Sequence, residues 1–461
     1  MSEDFKSILN DRISRRELLK RAGAGAGVLA IPGLLAACGG GDGTATTGAA
    51  TNAGANTTAA AATTTSGVPT AGAVKIGFVS PRTGPAASFG EPDGYILETV
   101  RKQLAGGITV GGKVYSVEII DKDGQTNPAR GAEVAQELIN QDKVDLILTT
   151  STPETINPVS DAAEAGGVPC ISTVCPWEAW YFGRGAKPGE PSPFKFSYIF
   201  SFGVEQFYNA YASQWPLLQT NKKVGVMWPN DADGNAIRGA LGPMLTKAGY
   251  TIVDPGAYED GTNDYSTQIA MFKKEDCQIF QNFSLPPDFA TFWRQAAQQG
   301  YKPIIAQCSK AGLFPSEIEA LGEIGYNLSE AVYWAPIYPY KSSLTGLSSQ
   351  QLADGYEQST GKQWNQQLGP SLSLFDAGIA ALTASGNPND KAAVAAAIGK
   401  LSVETPVGRL SWGSGPVANV VVIPIIDGQW VKGAKWPVEW KSTENFNDTK
   451  VPIEAKLLPY A

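Results

Sequence analysis

The chain has 461 residues, with 36 basic and 44 acidic side chains and a formal net charge of −8. An acidic chain without runs of basic residues argues against nucleic acid as a partner. The sequence contains no histidine, which excludes histidine-dependent triads and histidine metal sites, so any acid–base chemistry would have to use carboxylates.

Residues 1–37 are predicted to form an export signal. Arg15 and Arg16 resemble the paired arginines of twin-arginine signals, and residues 22–37 form an apolar segment that is short for a membrane span. The segment LLAAC resembles a bacterial lipobox, so Cys38 is predicted to carry a lipid after cleavage. The alternative is a plain signal peptide with an incidental cysteine.

Residues 38–72 consist almost entirely of Gly, Ala, Thr, Asn and Ser. Such a segment has no apolar periodicity and cannot bury a core, which predicts a flexible tether. With a lipid on Cys38, the tether would hold a globular body near a membrane surface.

From residue 73 onward, short apolar runs alternate with stretches of helical periodicity. This pattern predicts strand–helix–strand units and parallel sheets that are covered on both faces. The residues at 407–412 and 419–431 predict a hairpin-type ending. A first series has predicted strands at 74–80, 115–121, 144–150 and 168–173, and a second series, starting after Phe194, has them at 194–200, 222–228, 250–256, 277–283 and 302–308.

The cysteines of the predicted globular body are Cys170, Cys175, Cys277 and Cys308. Cys277 begins one predicted strand and Cys308 ends the next, so parallel strands would place them beyond disulfide reach. Free thiols are therefore predicted, with disulfide pairing as the alternative.

Ligands of open parallel sheets bind outside the carboxyl ends of the strands. Ser151, Thr152 and Thr155 follow the third predicted strand near a helix start, where hydroxyls, backbone N–H groups and the helix dipole favour a carboxylate. The alternative is that these side chains only cap the helix. DKDG at 121–124 and DADGN at 231–235 depart from the spacing of calcium loops, which predicts turns.

Over residues 74–440 the chain resembles a periplasmic binding protein of the leucine/isoleucine/valine type, and the resemblance is carried by KIGFVSPRTGPAASFG, GKVYSVEIIDKDGQTNPARGAEVAQELINQDKVDLIL, KKVGVMWPNDADGNAIRGA and TPVGRLSWGSGPVANVVVIPIIDGQW. It implies the type I fold of that family, an α/β architecture of two Rossmann-like lobes joined by three crossovers. The two lobes of such a fold close on a ligand. The implied parts are lobe 1 at 73–197 plus 335–405, lobe 2 at 198–334 plus 406–440, and a C-terminal extension at 441–461.

The resemblance also implies which positions line the ligand pocket. In the first lobe it places an aromatic side chain at Phe89, carboxylate-binding hydroxyls at Ser151 and Thr152, and backbone contacts at Val174 and Cys175. With the second lobe included, the candidate ligand-binding residues are Phe89, Ser151, Thr152, Thr155, Val174, Cys175, Trp177, Asp233, Phe283 and Ser309.

Departures from the family pattern bear on the ligand. Pro176 stands where the family has a hydroxyl, and Asp233 stands where it has a tyrosine before glycine. Ser309 and Lys310 occupy the place of an acid that pairs with the ligand ammonium. A lysine there would favour a second anionic group on the ligand.

The aromatic residues after the fourth predicted strand admit two interpretations. Trp177, Trp180 and Tyr181 either line the cleft, which favours an apolar, aromatic or sugar-like ligand, or pack between the lobes. Hinge packing is predicted for aromatic residues at the expected second crossover, namely Trp334, Tyr338 and Tyr340.

The predicted function is that of the solute-binding component of an ABC importer, which captures a small amino-acid-like or apolar/aromatic carboxylate ligand between two lobes. The protein is predicted to be a monomer without catalytic activity, cofactor or metal, and to dock on a membrane permease. It is predicted to work outside the cytoplasm as a membrane-anchored lipoprotein. The alternatives are a ligand-sensing receptor protein of the same fold and, more remotely, an anchored hydrolase that uses carboxylates.

Overall fold

The computed structural model describes residues 71–461. The predicted export signal with Arg15 and Arg16, the predicted lipidation site Cys38 and the predicted tether up to residue 70 lie outside the described residues. Within the described part of the chain, no helix combines the length and the apolar character needed to cross a membrane.

The first sheet contains the strands β1 (Gly72–Ser80), β2 (Ile108–Val110), β3 (Lys113–Asp123), β4 (Leu146–Thr150), β5 (Cys170–Thr173), β6 (Ser197–Ser201) and β14 (Val420–Val422). Their spatial order is β14-β6-β5-β4-β1-β3-β2. Neighbouring strands run parallel except β2 and β3, which are antiparallel.

The second sheet contains the strands β7 (Lys223–Met227), β8 (Thr251–Val253), β9 (Ile279–Asn282), β10 (Ile305–Cys308), β11 (Ser329–Val332), β15 (Ile426–Lys432) and β16 (Val438–Ser442). Their spatial order is β16-β15-β11-β10-β9-β7-β8, with β15 and β16 antiparallel to their neighbours. A separate hairpin joins β12 (Ser402–Thr405) to β13 (Gly408–Ser411).

Helices connect most of the strands and cover the sheets. The α-helices are α1 (Asp93–Gln103), α2 (Pro128–Glu137), α3 (Pro153–Gly166), α4 (Trp177–Tyr181), α5 (Val204–Gln214), α6 (Ala232–Lys247), α7 (Ser266–Lys274), α8 (Pro286–Gln298), α9 (Pro315–Glu319), α10 (Ser349–Thr360), α11 (Leu368–Ala384) and α12 (Lys391–Ile398). Shorter helical turns lie at Ala87–Gly90, Leu138–Asp142, Trp215–Leu217, Ala311–Leu313, Gly322–Gly325 and Trp412–Ser414.

The central strands of the first sheet, β1, β4 and β5, are buried on both faces over most of their length because they carry few charged residues and many apolar ones. In β1, Phe78 joins a cluster with Phe375 of α11, their ring centroids lying 5.5 Å apart, while Val79 joins a second cluster with Val134 of α2. Each fully buried side chain of this kind contributes about 1.5–3 kcal/mol of transfer free energy. The packed sheet thereby fixes the strand ends from which the ligand loops start.

The chain passes between the two sheets three times: after β6, after β11 and after β14. The fold is therefore the predicted one, two α/β lobes with three crossovers. We call the first sheet with its helices lobe 1 and the second sheet with its helices lobe 2. At the second crossover Trp334 Nε1 donates to Ser349 Oγ at 3.0 Å, and Tyr338 Oη donates to the Val332 carbonyl at 3.0 Å.

Two strands belong to a different sheet from the one expected. Residues 197–201 form β6 beside β5, so the chain leaves lobe 1 after residue 201 rather than after residue 197. Residues 420–422 form β14 beside β6, so the chain returns to lobe 2 after residue 422 rather than at residue 406. Both strands are short and apolar, and such a pattern specifies burial without specifying the partner strand.

The expected hairpin-type ending also differs. Residues 407–412 and 419–431 do not pair with one another, because β13 pairs with β12 and residues 419–431 divide between the two sheets on either side of Pro424. Proline lacks the N–H group that would continue the ladder. The hairpin of lobe 2 joins β15 to β16, which brings the start of the predicted C-terminal extension into the sheet.

The cysteines of the described chain, Cys170, Cys175, Cys277 and Cys308, are buried free thiols, as predicted. Cys308 ends β10 opposite Asn282, which ends the parallel strand β9, whereas Cys277 precedes the start of β9. The two thiols therefore lie at opposite ends of one parallel strand pair.

Candidate functional site between the two lobes

A cavity lies between the lobes at the carboxyl ends of their strands, and we call it the cleft. Its free volume is about 30 Å³, room for about two water molecules, so a solute enters only if the lobes move apart. The lining residues are Phe89, Thr152, Val174, Cys175, Pro176, Phe202, Phe207, Asp233, Phe283, Lys310, Leu313, Glu330, Ala331 and Tyr333.

A strained loop supplies one polar wall of the cleft. Ser151, Thr152 and Val174 have φ angles of 74°, 66° and 64°, a left-handed region that side chains other than glycine rarely adopt. The loop is held by hydrogen bonds from Ser151 N to the Thr173 carbonyl at 3.2 Å and from Thr152 N to the Val174 carbonyl at 3.1 Å. This cross-bonding keeps the two loops of lobe 1 in a fixed relation.

Thr152 has the properties of an anion-binding group. It is 2% exposed, it immediately precedes α3, and its Oγ1 atom is buried without a hydrogen-bond partner. A free hydroxyl at the N-terminus of a helix can donate to a carboxylate, and the helix dipole adds to the attraction. The position therefore fits the predicted carboxylate site.

The other hydroxyls of this loop do not line the cleft. Ser151 Oγ bonds to Thr150 Oγ1 at 2.9 Å. Thr155 lies in the first turn of α3 with its methyl group facing Gly124, and its Oγ1 atom is also buried without a partner, but the residue does not line the cleft. The sequence pattern identified the loop, and the backbone conformation selects Thr152 as the member that faces the cleft.

Cys175 and its neighbours form the adjoining surface of lobe 1. Cys175 N donates to Ser201 Oγ at 3.2 Å, and the thiol lies 3.3 Å from the Pro176 carbonyl. Burial, with a smaller contribution from nearby carboxylates, raises the pKa of Cys175 well above its ordinary value. The thiol is therefore a neutral, weakly polar part of the wall.

Aromatic side chains from both lobes enclose the cleft. Phe89 of lobe 1 meets Phe314 of lobe 2 edge to face, with ring centroids 4.7 Å apart. Phe207 and Phe283 make a similar contact at 4.9 Å. Rings that leave faces and edges toward a small space favour an apolar or aromatic ligand body.

Two aromatic residues of the cleft lie in the crossovers and were not found from the sequence. Phe202 and Tyr333 stack with centroids 5.3 Å apart and an interplanar angle of 13°, and both line the cleft. They stand in the first and second crossovers, whereas the sequence pattern points only to strand-end loops. Phe207 in α5 and Leu313 in the turn after β10 also line the cleft and were not found from the sequence.

The tryptophans after β5 pack within lobe 1. Trp177 lies beside Gly203 and against Tyr181 and Phe182, and it does not line the cleft. Trp180 Nε1 donates to Ser160 Oγ at 3.1 Å. Trp177, a candidate ligand-binding residue, therefore packs inside the protein in this structure and does not line the cleft.

Lys310 is engaged by carboxylates of its own lobe. It is 7% exposed, and its Nζ atom lies 2.7 Å from Asp233 Oδ2 and 3.3 Å from Asp231 Oδ2. Burial would lower the pKa of Lys310, but Asp231 and Asp233 outweigh it and raise that pKa well above its usual value. Lys310 lines the cleft with its charge already matched by two carboxylates, and the expectation that it favours a second anionic group on the ligand stays a prediction.

Asp233 keeps one oxygen free toward the cleft. Its Oδ1 atom is buried without a partner, while Oδ2 pairs with Lys310. Burial raises the pKa of Asp233 to about 7, and Lys310 opposes that rise. Asp231 and Asp233 thus share the Lys310 ammonium, and the Oδ1 atom of Asp233 remains available to a donor on the ligand.

Glu330 of β11 is the acid that sequence reasoning missed. It is fully buried and lines the cleft, and its carboxyl group has no side-chain partner but faces the backbone N–H groups of Gly312 and Lys310. Burial, then the charge of Asp427, raises its pKa well above the ordinary value. Ser309, the candidate at the neighbouring strand end, instead bonds to Tyr211 Oη and Gln281 Nε2 and does not line the cleft.

A larger surface crevice of about 180 Å³ lies between α10 and the β15–β16 hairpin. Its most buried acid, Glu357, already bonds to Lys435 Nζ at 2.5 Å, Trp436 Nε1 at 2.9 Å and Trp364 N at 3.2 Å. The cleft is the better candidate because Thr152 Oγ1, Asp233 Oδ1 and the Glu330 carboxyl group have no side-chain partner there. In residues 71–461 no three Asp, Glu or Cys side chains are grouped to hold a metal ion.

Two lobes around a cleft with unpartnered polar groups define a class of protein that captures a solute by closure. The family model described as "Periplasmic binding protein" matches residues 73–421. The chain therefore belongs to the periplasmic binding protein family, in the type I class of leucine/isoleucine/valine-binding proteins.

Relatives and solved structures agree with this assignment. The chain is 23% identical over 305 residues to a Leu/Ile/Val-binding protein homolog of Brucella abortus, covering 63% of this chain and 71% of the relative. A leucine-binding protein of Thermotoga maritima shares the fold with a TM-score of 0.65 at 18% identity, over 80% of this chain and 98% of the other.

A second similar solved structure contains a bound ligand. It is a solute-binding protein of an ABC transporter from Rhodopseudomonas palustris in complex with 3,4-dihydroxybenzoic acid, with a TM-score of 0.63 at 20% identity. The match covers 84% of this chain and 98% of that chain. These matches are to binding proteins rather than enzymes, and the family implies a location outside the cytoplasm.

Proposed function

We propose that the chain is the solute-binding component of an ABC importer and closes its lobes on a small carboxylate with an apolar or aromatic body. The observation that carries the proposal is the polarity of the cleft. Thr152 offers an unpartnered hydroxyl on one wall, whereas Asp233 Oδ1 and the Glu330 carboxyl group, neither of which has a side-chain partner, lie on the other. Aromatic rings fill the space between them.

The ligand would span these two walls. Its carboxylate would accept from Thr152 at the start of α3, and a donor at its other end would meet Glu330. An α-ammonium and a phenolic hydroxyl both supply such a donor, so apolar amino acids and hydroxylated aromatic acids are the two ligand classes proposed. The leucine-binding and dihydroxybenzoate-binding descriptions of similar structures support this pair.

The cellular setting is part of the proposal. The chain would be exported through Arg15 and Arg16, anchored by a lipid on Cys38, and would deliver its ligand as a monomer to a membrane permease. Closure on the ligand would favour the form that docks, and no covalent step would occur. The two lobes of this proposal are those defined by the first and second sheets.

Isothermal titration tests the proposal. The chain is titrated with leucine, 3,4-dihydroxybenzoic acid, and the primary carboxamides of both compounds, which lack the carboxylate charge. We expect saturable binding of at least one acid and at least tenfold weaker binding of its amide, because the amide lacks the negative charge that the ligand carboxylate would place beside Thr152. If no member of either acid class binds at millimolar concentration, the proposed function is wrong.

A further inference from the structure

Two adjacent, fully buried glutamines contact both walls of the cleft without lining it. Gln366 and Gln367 stand at the start of α11, which packs on the first sheet. Gln366 Nε2 donates to the Leu313 carbonyl at 3.2 Å. Leu313 lines the cleft from lobe 2, after β10, so this hydrogen bond joins the two lobes.

The same glutamines hold the second crossover. Tyr333 N donates to Gln366 Oε1 at 3.1 Å, and Tyr333 Oη donates to Gln367 Oε1 at 3.0 Å. Gln367 Nε2 donates to Thr150 Oγ1 at 2.7 Å, two residues before Thr152. One dipeptide therefore connects the crossover to both polar walls.

The bonds of Gln366 differ from the contacts at the rim of the cleft. Ser88 Oγ of lobe 1 donates to Glu317 Oε1 of lobe 2 at 2.6 Å, but that pair is only partly buried. Water can replace a bond at the rim when the lobes separate. It replaces a fully buried bond only after the whole region opens, so the Gln366 bond opposes opening more strongly.

We infer that Gln366 is a positioning residue that couples lobe closure to the second crossover. Gln366 Oε1 accepts from Tyr333 N in the crossover. Gln366 Nε2 reaches the Leu313 carbonyl of lobe 2 only when the two lobes are together. Closure thus completes a hydrogen bond beside the cleft and fixes Tyr333 against the ligand space. The inference rests on the proposed function, since it concerns how the cleft closes on a solute.

The test measures the closed-to-open ratio of the full chain by fluorescence energy transfer. Dyes are attached at the exposed positions Glu98 of lobe 1 and Lys274 of lobe 2, both exchanged for cysteine in a chain that carries Cys38→Ser. The remaining cysteines are buried. The ratio is measured without ligand and with leucine or 3,4-dihydroxybenzoic acid as probes.

The variants separate the two bonds of Gln366. Gln366→Met removes both, whereas Gln366→Glu keeps the acceptor for Tyr333 N and loses the donor to Leu313. The control Gln350→Met removes an exposed bond to Asp354 within α10. At pH 9.5, above the pKa of about 8 that burial gives the buried carboxyl group of Glu178, we expect both Gln366 variants to lower the closed-to-open ratio about fivefold to tenfold, with no change in the control.

A pH profile distinguishes positioning from general damage. At pH 5 the introduced carboxyl group of the Gln366→Glu variant is protonated and donates to the Leu313 carbonyl again, so the closed fraction of this variant recovers while that of Gln366→Met does not. Ratios equal to wild type in both variants, no recovery at pH 5, or a wild-type chain that never closes would overturn the inference. Failure of the proposed function would instead appear as no binding of either probe, which leaves the ligand-free ratios interpretable.

Discussion

Thr152 and Glu330 present opposite hydrogen-bonding chemistry to one small space. Thr152 lines the cleft in a left-handed backbone conformation with its Oγ1 atom unpartnered, and Glu330 is a buried acid whose carboxyl group has no side-chain partner. Unsatisfied buried polar groups destabilise a fold. Their presence together at a cavity is the arrangement expected where a ligand supplies the missing partners.

Replacing Thr152 tests the carboxylate wall. Thr152→Val keeps the side-chain shape and removes the donor, so we expect the dissociation constant of a bound acid to rise about fivefold to twentyfold. The control is Ser151→Ala, whose hydroxyl bonds to Thr150 and should matter less. Titration calorimetry of both variants gives the comparison, and equal affinity for Thr152→Val and wild type would place the carboxylate elsewhere.

Replacing Glu330 tests which donor the ligand carries. Glu330→Gln keeps a neutral hydrogen-bonding group but cannot become an anion. We expect it to weaken leucine binding by about tenfold or more, because an ammonium loses a charge-assisted partner, and to weaken 3,4-dihydroxybenzoic acid by less than about threefold. Competition titrations measure both effects, with Glu98→Gln as an exposed control. Identical losses for the two probes would argue against contact with Glu330.

At the scale of elements, β10, β11 and the turn between them form the acidic wall of lobe 2. Gly312 of this turn packs against the side chains of Glu330 and Cys308. A Cβ atom at Gly312 would lie 2.9 Å from Cys308 Sγ and closer still to the Glu330 carboxyl group. Only glycine permits this approach. The turn therefore fixes how the acid faces the cleft.

A matched pair of glycine substitutions tests this packing. Gly312→Ala should lower the free energy of unfolding by about 1–3 kcal/mol through overpacking. Gly94→Ala in α1 meets no atom within 4 Å and should raise it by about 0.5–1 kcal/mol through helix propensity. Urea denaturation of both variants measures the difference, and equal stabilities would show that the turn relaxes freely.

The elements also show how far the sequence predicts this molecule. Apolar runs located the strands, and strand-end loops located Phe89, Thr152, Val174 and Asp233 at the cleft. The sheet membership of β6 and β14 was not predictable because a short apolar strand encodes burial rather than its neighbour. Glu330 was not predictable because it lies within a strand, where only the fold shows which face meets the cleft.

At the scale of the whole molecule, buried acids outside the cleft set a dependence of stability on pH. Burial is the main cause that raises the pKa of Asp93 and Asp376 to about 7 and of Glu178 to about 8. In the unfolded chain these groups titrate near pH 4. The folded chain thus keeps protons that the unfolded chain releases, so stability falls as pH rises from about 4 to about 8.

Thermal unfolding between pH 5 and pH 8 checks this sign. We expect the melting temperature to fall across the range. Asp376→Asn should flatten the slope because its amide does not titrate, and the variant should still fold because its Oδ1 atom can accept from Ser342 Oγ and Leu344 N as the aspartate does. A melting temperature that rises steadily from pH 5 to pH 8 would show that these acids are ionised in the fold.

A crystal structure of the chain with the tightest-binding acid tests the central claim most directly. We predict a ligand enclosed between the lobes, its carboxylate within hydrogen-bond distance of Thr152 Oγ1 and its donor within reach of Glu330. A ligand bound in the crevice between α10 and the β15–β16 hairpin, or one in the cleft with its carboxylate toward Glu330, would contradict that claim.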